Sequence, residues 1–177
     1  MAPTLSTRGL AGTAPFLRDG SYPRIRDLEE LARTLFRGFA RRAPGRAFTL
    51  EAFVEALPRS PSRALFAARD LNRERRGVDA FVRAGCTTCH TFPAFTNLGQ
   101  HPLGALFPDR AADLGADTSI DVPSLIGVDP DGPFFTDGRA TSLEEVLREH
   151  NHQNRHGNTA DLEDAEIADL VHFLETL

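Results

Sequence analysis

The 177 residues carry 20 basic and 25 acidic side chains, a formal charge of −5, and 41% of them are hydrophobic; this suits a globular domain, or one and a half small ones, and excludes a disordered or collagen-like chain. No run approaches the roughly 18 apolar residues of a membrane span, and the opening "MAPTLSTRGLAGTAPFLRDG" lacks the apolar core of a secretory signal. Net acidity, and an arginine-rich half without interleaved aromatic residues, argue against nucleic acid as a partner. The charge is divided: residues 1–82 hold 15 basic and 9 acidic groups, residues 83–177 hold 5 and 16, a dipole of the kind that orients a protein partner.

In chain order, "GLAGTAPFLRDG" (9–20) reads as a Pro-Phe turn closed by Asp-Gly, and residues 27–30, "DLEE", as a weak helix start. A helical segment, "LEAFVEAL", follows at 50–57. Residues 61–85 have a helical pattern interrupted near Gly77, with Val78, Phe81 and Val82 available for packing. They lead into "CTTCH", residues 86–90. Residues 91–125 are rich in Gly, Pro, Asp and Asn and have no sustained period, so they are expected to be a long loop wrapped around something other than protein. At 127–138, "GVDPDGPFFTDG" repeats the first turn at an offset of 118, and "TSLE" (141–144) reads as a capping box with Thr141 as the cap. The last segment places Ile167, Leu170, Val171, Leu174 and Leu177 on one helical stripe, with His172 off it and toward solvent. Its "LVHFLETL" matches "LEAFVEAL" at an offset of 120, sharing Phe53/Phe173, Glu55/Glu175 and Leu57/Leu177. The chain therefore contains a partly duplicated unit.

Cys86, Cys89 and His90 stand at i, i+3 and i+4, so a single helical turn presents all three to one side. That arrangement suits covalent haem attachment, two thioethers holding the macrocycle while the imidazole binds its iron. A structural zinc would need a fourth ligand, and the chain has only these two cysteines. A redox dithiol expects a preceding strand, whereas a helical pattern precedes this motif.

Together, "AGCTTCHTFPAFTN", "VPSLIGV", "GPFFTDGRATSLEEVL" and "AEIADLVHFLETL" resemble, in that order, the cytochrome-c-type domain of the di-haem cytochrome c peroxidase group and related multi-domain cytochromes. The resemblance spans roughly residues 65–177. It implies an all-α, class I cytochrome c-like domain at 61–177, one covalent haem c on Cys86, Cys89 and His90, and a periplasmic or otherwise extracytoplasmic location. Residues 1–60 resemble the tail of a preceding similar domain without its own haem motif, so the chain is expected to be a piece of a longer one. The group's His-Asp-Gly-Arg stretch stands here as "TDGR", with Thr136 in place of the histidine, and as "RDGS" with Arg18 in the first copy. Arg139 is the candidate partner of a haem propionate.

Methionine commonly completes the iron's coordination in electron-transfer cytochromes, but the only methionine is Met1, ahead of the whole domain. The remaining candidates are His101, His150, His152, His156, His172 and water. His156 is preferred, because it precedes the last helix at the position implied for the axial loop and Gly157 beside it permits close backbone approach. With His156 bound, the expected function is single-electron transfer to a redox protein partner. An open sixth position would instead favour peroxide reduction, although no distal acid or base is evident and a second haem motif is lacking. A third reading is a haem-anchored module that docks a larger oxidoreductase through its oppositely charged halves.

Overall fold

A computed structural model describes residues 9–17, 19–35, 45–58, 66, 68–107, 118–128, 132–135 and 137–177. Met1, Arg18 and Thr136, as well as much of 59–67, lie outside the described residues. The described elements are α1 (Leu28–Leu35), α2 (Arg46–Ala56), α3 (Leu71–Arg83), β1 (Gln100–Pro102), α4 (Leu103–Leu106), β2 (Ser119–Asp121), α5 (Leu143–Arg148) and α6 (Asp164–Glu175). The chain is mainly helical, as expected.

The packing of α3 against α6 forms the frame. Asp70 caps α3, its carboxylate accepting from the amides of Asn72 and Arg73 at 3.1 and 3.0 Å, and Glu166 accepts from the Glu163 amide at 2.9 Å to open α6. Ala80, Phe81 and Ala84 meet Ile167, Leu170, Phe173 and Leu174 in the core, which Leu143 and Leu147 of α5 extend. Ile167, Leu170 and Leu174 thus lie inside as the stripe predicts. Helix α3 runs through Gly77 without interruption. A Cβ there would stand 2.3 Å from the Asp169 carbonyl and 2.5 Å from Phe173 Cβ, so the glycine is the point at which the two helices touch. Val78 and Val82 are exposed, because α6 lies over the Gly77–Phe81 side instead.

Polar contacts close the rim of this interface. Asp169 accepts from Arg73 at 3.1 Å and Arg76 at 2.5 Å, while Arg83 pairs with Glu166. His172 is less open than the sequence suggests: it is half-buried, and its Nε2 is buried without a hydrogen-bond partner among the described residues.

Two cap assignments shift. The cap of α5 is Ser142, whose hydroxyl accepts from the Glu145 amide at 3.1 Å. Glu145 reaches back to the Thr141 amide and hydroxyl at 2.6 and 2.8 Å, so the box stands one residue later than expected. The Asp27 carboxylate is engaged by Arg24 at 2.9 Å, and a 3₁₀ turn at Ile25–Asp27 enters α1.

The segment expected to be a loop carries regular structure. Strands β1 and β2 pair antiparallel, with His101 opposite Ile120. Buried Thr96 donates to the Val122 carbonyl at 2.6 Å, and Ser124 donates to the Ala94 carbonyl at 2.6 Å. These bonds pin residues 91–98 against 122–125.

The repeated turns share one backbone form. Phe16 bridges Tyr22 and Phe134 bridges Ala140. Leu17 and Phe135, at equivalent positions, both have positive φ, as do Gly20 and Gly138. The first turn rests on β1, where the Gln100 amide donates to the Asp19 carbonyl at 2.7 Å.

Candidate haem site

Gly85, at φ 76°, ends α3 and turns the chain into a 3₁₀ turn at Cys86–Thr88. The His90 amide donates to the Cys86 carbonyl at 2.9 Å, which gathers the three motif residues on one turn as their spacing predicts. Both cysteines are free thiols and half-buried. Burial pushes the Cys86 thiol up to about 11, so it stays protonated at neutral pH, the opposite of what a reactive dithiol requires.

His90 is buried, and its Nδ1 lies 3.0 Å from the Phe95 carbonyl. A carbonyl oxygen only accepts, so Nδ1 carries the proton and Nε2 keeps its lone pair for a metal. The Phe95 carbonyl is held there by the Thr96 and Ser124 bonds and by the Leu125 amide, which donates to it at 3.3 Å. The "PSL" stretch thereby acts on the site, aiming the oxygen that orients His90.

Across from His90 stands His156, their ring centroids 6.3 Å apart and their planes at 67°. Burial, followed by the proximity of His90, pushes the His156 imidazole down to about 4; burial also lowers His90, against the pull of the Phe95 and Pro123 carbonyls. Both rings are neutral at pH 7 and can donate lone pairs. Two imidazoles bound to opposite sides of one metal ion, each at about 2 Å through a nitrogen about 1 Å from its ring centre, have centroids about 6 Å apart. The observed separation fits that arrangement. Among the described residues no group of three or more His, Cys, Asp or Glu is gathered to hold a bare ion. Two imidazoles at this separation, with two cysteines on the turn that carries one of them, fit a haem c group.

Several contacts bring the His156 loop to the motif. Gly157, at φ 89°, passes so close that a Cβ would stand 3.3 Å from the Ala84 carbonyl and 3.5 Å from Cys86 Sγ. The Asn158 amide donates to the same Ala84 carbonyl at 2.8 Å. Phe107 lies 5.5 Å from the His156 ring and 5.0 Å from Phe135. The Arg139 guanidinium sits over both phenyl rings, at 5.7 and 4.8 Å, and 3.8 Å from Asp137. Cys86, Cys89, His90, Arg139 and His156 are thus brought into one neighbourhood.

His101 Nε2 is 3.7 Å from Cys89 Sγ, beside a motif sulfur. His150 packs on Phe135 at 5.5 Å, and His152 is exposed. Sequence reasoning missed Phe107 and Phe135, whose contacts join distant segments, and the buried pair Asn151 and Thr159.

No protein-family model matches the chain. It is 32% identical over 125 residues to the methylamine utilization protein MauG of Methylorubrum extorquens, a match covering 58% of this chain and 34% of that protein. The chain thus spans about a third of the curated relative it matches. Among solved structures it resembles a hydrazine synthase chain from Kuenenia stuttgartiensis, with a TM-score of 0.74 and 22% identity over 99% of this chain and 72% of that one. It also resembles a MauG-like protein associated with microbial copper homeostasis, with a TM-score of 0.69 and 18% identity over 99% of this chain and 73% of that one. These likenesses establish the fold.

Proposed function

We propose that this chain is a c-type cytochrome unit in which Cys86 and Cys89 would hold one haem c through thioethers and His90 and His156 would bind its iron, and that it carries single electrons between redox proteins outside the cytoplasm. The observation that carries the reading is the pair of neutral imidazoles 6.3 Å apart, one of them on the turn that bears both cysteines. A haem bound there supplies reversible one-electron Fe(III)/Fe(II) chemistry.

The chain's own residues supply the rest. His90 is held in one tautomer by Phe95, which fixes its lone pair toward the metal. His156 would supply a second imidazole to the iron, which would leave no site for peroxide and favours electron transfer. Two imidazole ligands give a lower potential than a histidine–methionine pair. Phe107 sets an apolar ring beside His156 and Phe135 packs on Phe107, and Arg139, seated on their rings, would be placed to meet a propionate. The partner is another redox protein, or a preceding cytochrome-like unit of the same polypeptide. The likeness to MauG and to the peroxidase-type cytochromes supports a redox role.

The test is to record visible, near-infrared and electron paramagnetic resonance spectra of the matured holoprotein and of His156→Ala. Wild type is expected to be low-spin with two histidine ligands, and the variant high-spin and returned to low spin by added imidazole. An unaltered spectrum in the variant rejects His156. A high-spin wild type that turns over peroxide replaces electron transfer with peroxide reduction.

A further inference from the structure

We propose that Asn151 is the positioning residue of the distal ligand; the inference rests on His156 being that ligand. His90 has its own orienting bond, from Nδ1 to Phe95. His156 has none: its Nδ1 is buried without a hydrogen-bond partner among the described residues. The direction of its ring is therefore inherited from the backbone that carries it and from the packing of Phe107.

That backbone needs a restraint. Gln153 and Asn154 both adopt positive φ, at 58° and 55°; asparagine tolerates this region, but for glutamine it is uncommon and calls for restraining contacts. They lie in a short 3₁₀ turn, His152–Asn154, which pairs with no strand among the described residues.

Asn154 accepts from the Ala160 amide at 3.1 Å and donates to Asn158 at 2.6 Å; at the His156 end the restraint comes from Asn151. It is buried at 8% exposure, and its side-chain amide is used at both ends. Oδ1 accepts from the His156 amide at 2.9 Å, while Nδ2 donates to the Gly157 carbonyl and to Thr159 Oγ1, each at 2.7 Å. Thr159, itself buried, donates onward to the Leu147 carbonyl of α5 at 2.7 Å. One amide thus grips the peptide group before His156 and the one after Gly157, bracketing the two residues, and ties them to a core helix. The chemistry is specific to asparagine: an aspartate would set a second acceptor against the Gly157 carbonyl, and an apolar residue would leave a buried donor and acceptors unpaired.

The test compares matured holoproteins of wild type, Asn151→Ala, Thr159→Val and Asp169→Asn. The last weakens the α3–α6 rim away from the axial pair and controls for general destabilisation. The readouts are the low-spin fraction of the ferric protein and its affinity for added imidazole, with far-ultraviolet circular dichroism to check folding. Asn151→Ala is expected to lose part of its low-spin signal and to bind imidazole at least tenfold more tightly than wild type, while Asp169→Asn keeps the wild-type values. If Asn151→Ala does not fold, Thr159→Val, which removes the anchor of the same network, is expected to move both readouts in the same direction. A folded Asn151→Ala, or in its place Thr159→Val, with wild-type spin state and imidazole affinity overturns the proposal. If His156→Ala converts wild type from low to high spin, that outcome leaves the ligand assignment standing. A high-spin wild type removes the ligand assignment, and this inference with it.

Discussion

At Gly157 two demands coincide. The backbone adopts φ 89°, and the space where a Cβ would project faces the Ala84 carbonyl at 3.3 Å. An L-residue there meets the left-handed penalty of about 1–2 kcal/mol, and the carbonyl it presses on also receives the Asn158 amide. Gly157→Ala is therefore expected to lower stability by about 1–2 kcal/mol, read as a fall in the urea midpoint with an unchanged slope. Single residues differ in how far the sequence reveals them. Cys86, Cys89 and His90 are legible because their meaning lies in local spacing. Because no methionine follows Met1, the histidines remain as candidates, and His156 is singled out among them by the position that the resemblance implies for the axial loop. Asn151 is not legible at all: within "NHQNRHGN" it has the composition of a solvated loop, and only the folded chain carries it to the Gly157 carbonyl and the Thr159 hydroxyl.

Between elements, the α3–α6 contact is the most demanding. Gly77→Ala would raise helix propensity by about 1 kcal/mol, but its methyl group strikes a backbone carbonyl and a Cβ, neither of which can swing aside. The net effect is expected to be a loss of about 2 kcal/mol in denaturant unfolding. The same interface carries a pH dependence. Hydrogen bonding to Arg76, aided by Arg73, holds the Asp169 carboxyl below the usual carboxylate range. Its folded pKa lies below its unfolded one, so the stability it contributes is complete above the unfolded value of about 3.9 and is lost as pH falls toward the folded value. Urea midpoints measured from pH 7 down to 3 are expected to fall less steeply below about pH 4 in Asp169→Asn than in wild type. The helices of this interface are legible from their 3.6-residue period, but the role of Gly77 is not. A glycine inside a helical pattern reads as an interruption, and only the presence of a second helix turns it into a point of contact. Strands β1 and β2, three residues each, lie below the length at which alternation can be recognised, and their pairing depends on the Thr96 network rather than on strand propensity.

Across the whole molecule, the duplication visible in the sequence reappears in the paired turns, yet its two halves are buried unequally. Phe173 on α6 is 9% exposed and packs on Phe81 and Phe95. Its counterpart Phe53 on α2 is 62% exposed, with Phe48 and Leu50 beside it in sequence at 61% and 56%. Helix α2 is held instead by polar contacts, Glu51 pairing with Arg26 at 3.1 Å and Arg26 lying over the Phe48 ring at 4.7 Å. Equivalent residues therefore contribute very different stabilities, since large-to-small changes cost energy only where they empty a packed site. Phe173→Ala is expected to cost about 3–5 kcal/mol, and Phe53→Ala to change stability by no more than about 0.5 kcal/mol. Denaturant unfolding of the two variants measures the contrast directly. Equal losses would mean that α2 is packed as α6 is, and that the first copy of the unit has a core of its own.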